Sequence, residues 1–229
     1  MKISLLIIAK NELKNIKFHF NEIEKECRSH KIDFYFIDAN STDGTLEFLK
    51  SKKAKIIQQV YPGRGGAIIS GFEKIYSDAY IIYSPDGNEN IKDLSLFKKF
   101  ILAGNDLVIA SRMMDGAYNE EDAQFLKPRK LANNVFNYLI NVLFNKSGKY
   151  ITDSINGYRA ITKNGLAKLN VDAFNYTIEY QMTIRSMKNN LKIYEFPTIE
   201  GQRLYGVTGA PSIRTGFAFI KRLLMEIFR

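Results

Sequence analysis

An α/β fold, built on a mostly parallel twisted sheet flanked by helices, is the class this sequence predicts on three observations. Between residues 2 and 111, short β-rich runs alternate with helix-period segments, the pattern of successive βαβ units. Each β-rich run stops at a polar or glycine-containing turn. Acidic and polar clusters recur at those run ends, which in an open parallel sheet share the rim where ligands bind.

The elements follow in order. Lys2 to Ala9 is a strand-like run, and a helix is expected over about Glu12 to Ser29. A second strand, Asp33 to Asp38, leads to a helix over Thr45 to Lys52, for which Ser41, Thr42 or Asp43 can serve as cap. Strands over Lys55 to Val60, Ala79 to Tyr83 and Asp106 to Ser111 alternate with helices over Gly66 to Tyr76 and Ile91 to Leu102. From Lys127 onward the pattern changes to longer helices with one clear strand, around Leu191 to Phe196. A helix from about Lys130 to Phe144 is apolar over a wide arc. In the C-terminal "TGFAFIKRLLMEIFR", Ile220, Leu223, Leu224, Ile227 and Phe228 share one face, with Arg222, Glu226 and Arg229 opposite. No repeat, low-complexity linker or composition break interrupts the chain. One domain over residues 1–210 is expected, followed by a basic amphipathic helix over residues 211–229 that packs on its own domain or lies on a membrane surface.

Bulk composition narrows the function. Of 229 residues, 45% are hydrophobic and 13% aromatic, enough for a substantial core. Thirty-three Lys and Arg against 24 Asp and Glu give a net charge of +9, which favours anionic partners. The positive charges are scattered and no nucleic-acid motif is present, so nucleic acid is not the expected partner. The single Cys27 excludes an intramolecular disulfide framework and a cysteine-based zinc site, and fits a reducing compartment. His19 and His30 are the only histidines, which argues against histidine acid/base catalysis. No run is long and apolar enough to span a bilayer, and no signal peptide is evident. A cytoplasmic chain, peripheral on the cytoplasmic face of a membrane through its terminal helix, is the expectation.

Four clusters sit at strand ends: "AKNE" (Ala9 to Glu12), "IDANSTDGT" (Ile37 to Thr45), "SPDG" (Ser84 to Gly87) and "ASR" (Ala110 to Arg112). Caps and turns explain each separately; their recurrence on one rim points to a ligand site. Ser84, Pro85 and Gly87 suit a type I turn, which would set Asp86 at the end of a buried strand. "YPGRGGAIISG" places Gly63, Gly65 and Gly66 around Arg64 before a helix, a tight turn or a phosphate cradle with a cationic fork.

The ordered motifs "AKNE", "IDANSTDGT", "GRGGA", "YSPDGN", "ASR", "DSINGYRA" and "EFPTIEGQRLYGVT" resemble the family 2 glycosyltransferases, in particular the dolichyl-phosphate mannosyltransferase branch, from Ile7 to about Thr208. The resemblance implies a GT-A fold with a Rossmann-like nucleotide-binding half, inverting transfer from a nucleotide-diphosphate sugar, and Mg²⁺ or Mn²⁺. It implies that Glu12 and Asp38 hold base and ribose, within a nucleotide-sugar site that also takes in Ala9, Asn11, Asn40, Ser41, Arg64, Gly65, Ser84 and Pro85. Asp86 matches the second carboxylate of the DxD-type motif, as metal ligand and catalytic residue. Arg112, Arg129 and Arg203 match basic residues that meet acceptor phosphate or donor diphosphate, and Gly157 and Arg159 match a Gly-aromatic-Arg turn near the acceptor.

The departures from that pattern are Ile8 for a proline, Ala39 for an acidic residue, Asn40 for glycine, Ser84 for the first DxD carboxylate, and Thr208-Gly209 for a Ser-Lys pair. One carboxylate can still hold the ion, since Mg²⁺ binds through one or two carboxylates plus substrate phosphates. A polyprenyl phosphate acceptor is already ionised and needs cationic positioning without a base. A hydroxyl acceptor, as in cell-surface polysaccharide synthesis, would need one of Asp115, Glu120, Glu121, Asp122 or Asp153. The losses at Ala39 and Ser84 also leave open a sugar-nucleotide-binding protein without turnover.

Overall fold

The computed structural model describes residues 1–122, 125, 127–206 and 212–229. Seven strands form one sheet: β1 (Ile3–Ala9), β2 (Asp33–Asp38), β3 (Ile56–Gln58), β4 (Ala79–Tyr83), β5 (Leu107–Ser111), β6 (Arg159–Thr162) and β7 (Ile193–Pro197), in the order β3-β2-β1-β4-β6-β5-β7. β6 runs antiparallel between β4 and β5, and the other pairs are parallel. Ala9 pairs with Asp38 and Ile7 with Tyr83, so the carboxyl ends of β1, β2 and β4 meet on one rim.

Helices cover both faces, which is why the strands read as continuous apolar runs. On one face, Leu5 and Ile7 of β1 pack with Ile16, Phe20 and Ile23 of α1 (Leu13–His30) and Phe97 of α4 (Leu94–Leu102). α2 (Thr45–Ser51) adds Leu49 to the same core. On the other face, Leu6 and Ile82 meet Ile68 of α3 (Gly63–Lys74) and Met182 and Ile184 of α7 (Ile178–Lys188). Ile140 of α5 (Pro128–Phe144), Leu169 of α6 (Lys163–Leu169), and Phe219 and Leu223 of α8 (Ser212–Ile227) complete this second core.

The elements depart from expectation in four places. β3 is shorter than the run Lys55 to Val60, because after Gln58 the chain turns away, leaving Val60 exposed. α3 begins at Gly63, so Arg64 and its glycines form the helix's first turn. Ile91–Asp93 is a 3-10 turn, capped by the Asn90 side chain, that runs into α4. A second strand follows residue 127, namely β6; its four residues are held by β4 and β5 on either side.

The C-terminal helix α8 packs on its own domain. Its charged side faces inward: Arg222 and Glu226 are buried with Phe219 and Leu223, while Phe217, Ile220, Leu224 and Phe228 face solvent. The cause is a receptor on α7, where Glu226 takes hydrogen bonds from Arg185 at 2.9 Å and Gln181 at 3.0 Å. Asp172 joins the same network, accepting from Arg222 at 3.2 Å and also from Arg229. Among the described residues no helix is long and apolar enough to cross a membrane.

Candidate active site

A cleft of about 1220 Å³ opens at the carboxyl rim, walled by the segments that leave β1, β2, β4 and β5. The first two are joined by side chains of "NSTDGT": the Asn11 N–H donates to Ser41 Oγ at 3.0 Å, Leu13 N–H to Asp43 Oδ2 at 3.0 Å, and Glu12 N–H to Thr45 Oγ1 at 3.1 Å. Asn11 and Asn40 both take left-handed backbone, at φ of 55° and 56°, a conformation asparagine tolerates well. Ala9, Asn11, Glu12 and Asn40 line the cleft. Asp38 and Ser41 do not. Asp38 is fully buried with Oδ2 accepting from the Ser41 N–H at 3.2 Å, so this pair shapes the wall from behind.

Arg64 enters from the first turn of α3. Its Nε donates to Glu179 Oε1 at 2.7 Å and its Nη1 to Ser84 Oγ at 3.2 Å. Burial works against this charge, but Glu179 and then Glu89 outweigh it and hold the guanidinium above its ordinary pKa. Gly157 lines the cleft because Arg64 crosses it, and a Cβ there would lie well inside contact with Arg64 Nη2. Gly65 does not line the cleft; a Cβ there would collide with the Ala173 carbonyl, so helix packing alone requires glycine at this position.

The "SPDG" segment carries the rest. Asp86 is 8% exposed. Its Oδ2 accepts from Arg203 Nη2 at 2.7 Å, and Arg203 Nη1 also reaches Glu12 Oε1 at 3.4 Å. Backbone bonds from Gly201 N–H to the Asn88 carbonyl (2.7 Å) and from Leu204 N–H to the Asp86 carbonyl (3.2 Å) dock the Arg203 segment on this turn. Asp86 Oδ1 and Asn88 Oδ1 are buried with no hydrogen-bond partner. Burial raises Glu12 against the opposing pull of Asn15 and Arg203, and pushes Glu89 up to about 8, with the charge of Asp86 adding to it.

Arg112 lines the cleft with three of its donors held by carboxylates: Nε and Nη2 meet Asp153 at 2.8 and 3.1 Å, and Nη1 meets Glu200 at 3.0 Å. Burial opposes its charge, and the two carboxylates outweigh that and raise its pKa. Arg129 does not line the cleft; it sits in the first turn of α5 and bonds Glu120 at 3.1 Å. Arg159, expected near the acceptor, is a fully buried strut. It donates to the carbonyls of Ser154, Asn156 and Glu179 and to Thr183 Oγ1, and burial lowers its pKa to about 10. None of Asp115, Glu120, Glu121, Asp122 and Asp153 lines the cleft; Asp153 is bound to Arg112 and Asp122 to Lys127 and Lys130. Thr208 and Gly209 lie outside the described residues.

Three lining carboxylates escaped the sequence reading. Glu89 follows the SPDG turn and Glu200 lies inside "EFPTIEGQR", where a carboxylate three residues before Arg203 was the available signal. Glu179 sits on α7 with no motif to mark it.

The donor set suits a hard divalent cation. Asp86 Oδ1 and Asn88 Oδ1 are oxygen ligands left unpaired at the cleft wall. Among the described residues no group of three or more His, Cys, Asp or Glu side chains could hold a metal, so an ion here would lean on substrate oxygens as well. Carboxylates and guanidiniums gathered at the rim of a twisted, mostly parallel sheet define a nucleotide-binding α/β enzyme. The family model "Glycosyl transferase family 2" matches residues 4–162, and this chain belongs to that family. It is a glycosyltransferase with a GT-A fold.

Two relatives and one solved structure fill in the comparison. UDP-N-acetylglucosamine–dolichyl-phosphate N-acetylglucosaminyltransferase of Methanococcus voltae is 27% identical over 97% of this chain and 95% of its own length. The dolichol-phosphate mannosyltransferase of Pyrococcus furiosus is 23% identical, over 90% of this chain and 58% of its own. Glucosyl-3-phosphoglycerate synthase from Mycobacterium tuberculosis, solved with Mn²⁺, UDP and phosphoglyceric acid, superposes with a TM-score of 0.77 at 18% identity, covering 99% of this chain and 78% of that one.

Proposed function

We propose that this chain moves a sugar from a nucleoside-diphosphate donor to a polyprenyl phosphate, with inversion, at the cytoplasmic face of a membrane. One observation carries the acceptor half: α8 borders the cleft through Thr215 and Phe219 while turning Phe217, Ile220, Leu224 and Phe228 outward. A lipid held along that helix would bring its phosphate to the cleft mouth. α5, which touches α8 through Phe136 and Phe219, adds a second exposed row of Leu131, Val135, Tyr138 and Val142. Both relatives are named for a dolichyl- or dolichol-phosphate, which supports the same reading.

In this reading Ala9, Asn11, Glu12 and Asn40 face the nucleoside, with Asp38 and Ser41 behind them. Asp86, with Asn88, would hold Mg²⁺ or Mn²⁺, an ion that when bound neutralises charge developing on the leaving diphosphate. Arg203, bonded to Asp86, and Arg64, bonded to Ser84, would supply cationic hydrogen bonds to the same phosphates. An acceptor phosphate oxygen attacks the anomeric carbon as the bond to the donor diphosphate breaks. That oxygen is already ionised at neutral pH, so no base is needed. Arg112, neutralised by Asp153 and Glu200, orients Glu200 and the rim more than it binds phosphate, and Arg129 takes no part at the cleft.

The test is transfer by the purified protein with Mn²⁺ or Mg²⁺, a panel of UDP- and GDP-sugars, and short polyprenyl phosphates. Product is expected with one donor class, falling by about 100-fold or more in Asp86→Ala. Transfer only to hydroxyl acceptors would overturn the acceptor assignment.

A further inference from the structure

The turn that ends β4 offers a serine where the family's pattern has its first carboxylate, yet the site does not lack a second one. The chain leaves Asp86 through Gly87 and Asn88 and folds back, so that Glu89 Oε2 accepts the Ser84 N–H at 2.7 Å. The carboxylate therefore sits against the backbone of the very residue whose side chain lacks one. Ser84 itself is otherwise engaged, since its Oγ accepts from Arg64 at 3.2 Å, and a hydroxyl holding a guanidinium is a poor cation ligand. Glu89, Asp86 and Asn88 all line the cleft. Asp86 is 8% exposed and its Oδ1 has no partner, an orphaned oxygen that points to a missing ligand. Arg203 offsets the charge of Asp86 at Oδ2, while Oδ1 stays unpaired; a cation shared with Glu89 would take up that oxygen.

We infer that Glu89 supplies the second carboxylate of the divalent-cation site, replacing from position 89 the ligand that Ser84 does not provide. This rests on the metal-dependent reading of the cleft given above. It makes Ser84 one half of a relocated ligand pair and not a mark of lost activity. The two positions are interchangeable in charge: one carboxylate at 84 or one at 89 should complete the site beside Asp86.

The experiment is Mn²⁺ binding by the full chain, read as loss of the free-ion electron paramagnetic resonance signal, with UDP and GDP added in separate series. The wild type, Asp86→Asn, Glu89→Gln, Ser84→Asp and the Ser84→Asp/Glu89→Gln double variant are compared. Glutamine keeps an acceptor for the Ser84 N–H, so Glu89→Gln removes charge with little cost to the turn, and circular dichroism melting verifies folding. Glu89→Gln is expected to weaken Mn²⁺ binding by about tenfold or more, and Ser84→Asp in that background to restore it to within about threefold. A merely structural Glu89 would not be rescued from position 84. If Asp86→Asn abolishes binding while Glu89→Gln binds like the wild type, the role of Glu89 is overturned and the metal-dependent reading survives. If the wild type binds no Mn²⁺ with either nucleotide, both fall.

Discussion

Gly157 shows how single residues set this cleft. Arg64 reaches Ser84 and Glu179 only by crossing the backbone at Gly157, where a Cβ would occupy the space of its guanidinium. Gly157→Ala is therefore expected to displace Arg64, cost donor binding about tenfold, roughly 1.4 kcal/mol, and lower the melting temperature because buried Glu179 loses its partner; nucleotide titration measures the first and calorimetry the second. Cys27 gives a simpler check. It is fully buried, and burial pushes its thiol up to about 12, so a thiol reagent at pH 8 should leave the native protein unmodified and label it fully in denaturant. At this scale the sequence was informative where chemistry and turn-forming residues coincide, as at Asp86, Glu12 and Arg203. It misled where a residue type serves two ends. Arg159 and Gly65 have the composition of a phosphate site, but the first spends its donors on backbone carbonyls and the second makes room for a carbonyl of the 173–174 segment. Glu179 shows the opposite failure, because its relation to Arg64 spans 115 residues and no local pattern encodes it.

At the scale of elements, helical periodicity reveals that α8 has two unlike faces and says nothing about which is turned inward. The face was decided by α7, whose Arg185 and Gln181 receive Glu226 in a buried network. Glu226→Ala would leave Arg185 with only Asp172 and backbone carbonyls, and is expected to destabilise the fold by about 3 kcal/mol in denaturant titration. Burial alone would raise the Glu226 pKa, but Arg185 and then Gln181 outweigh it and hold it below the ordinary carboxylate value. Its stabilising contribution is thus complete above about pH 4.5 and lost as pH falls through the lowered folded value. Acid melting followed in the wild type should show that loss, and Glu226→Ala should flatten it. The missed strand has a similar origin. β6 is four residues opening on Arg159, too short for a period-2 signal, and it exists because β4 and β5 pair with it from both sides. The strands β2 and β4, apolar and turn-bounded, needed no such help and fall where the sequence places them, at Asp33–Asp38 and Ala79–Tyr83.

For the whole molecule, the placement of charge and exposed apolar surface separates two routes to a membrane. A net charge of +9 would favour anionic lipid, but each Lys or Arg near such a surface contributes only about 1 kcal/mol and is screened within about 10 Å at 0.1 M salt. The outward row Phe217, Ile220, Leu224 and Phe228 is a different source, since burying each side chain fully is worth about 1.5–3 kcal/mol and salt does not weaken it. If α8 is the docking helix, the apolar contribution outweighs the ionic one, and vesicle sedimentation should distinguish them. Binding to vesicles containing anionic lipid is expected to fall by about tenfold between about 0.05 and 0.5 M NaCl and then level off, with the residual fraction equal to that on neutral vesicles. Ile220→Glu/Leu224→Glu, at positions already exposed, should leave the melting temperature within about 2 °C of the wild type yet remove the salt-resistant fraction. Loss of binding with salt to zero in the wild type would assign attachment to scattered charge alone, and the inward-facing ion pairs of α8 would then serve only to seat the helix on α7.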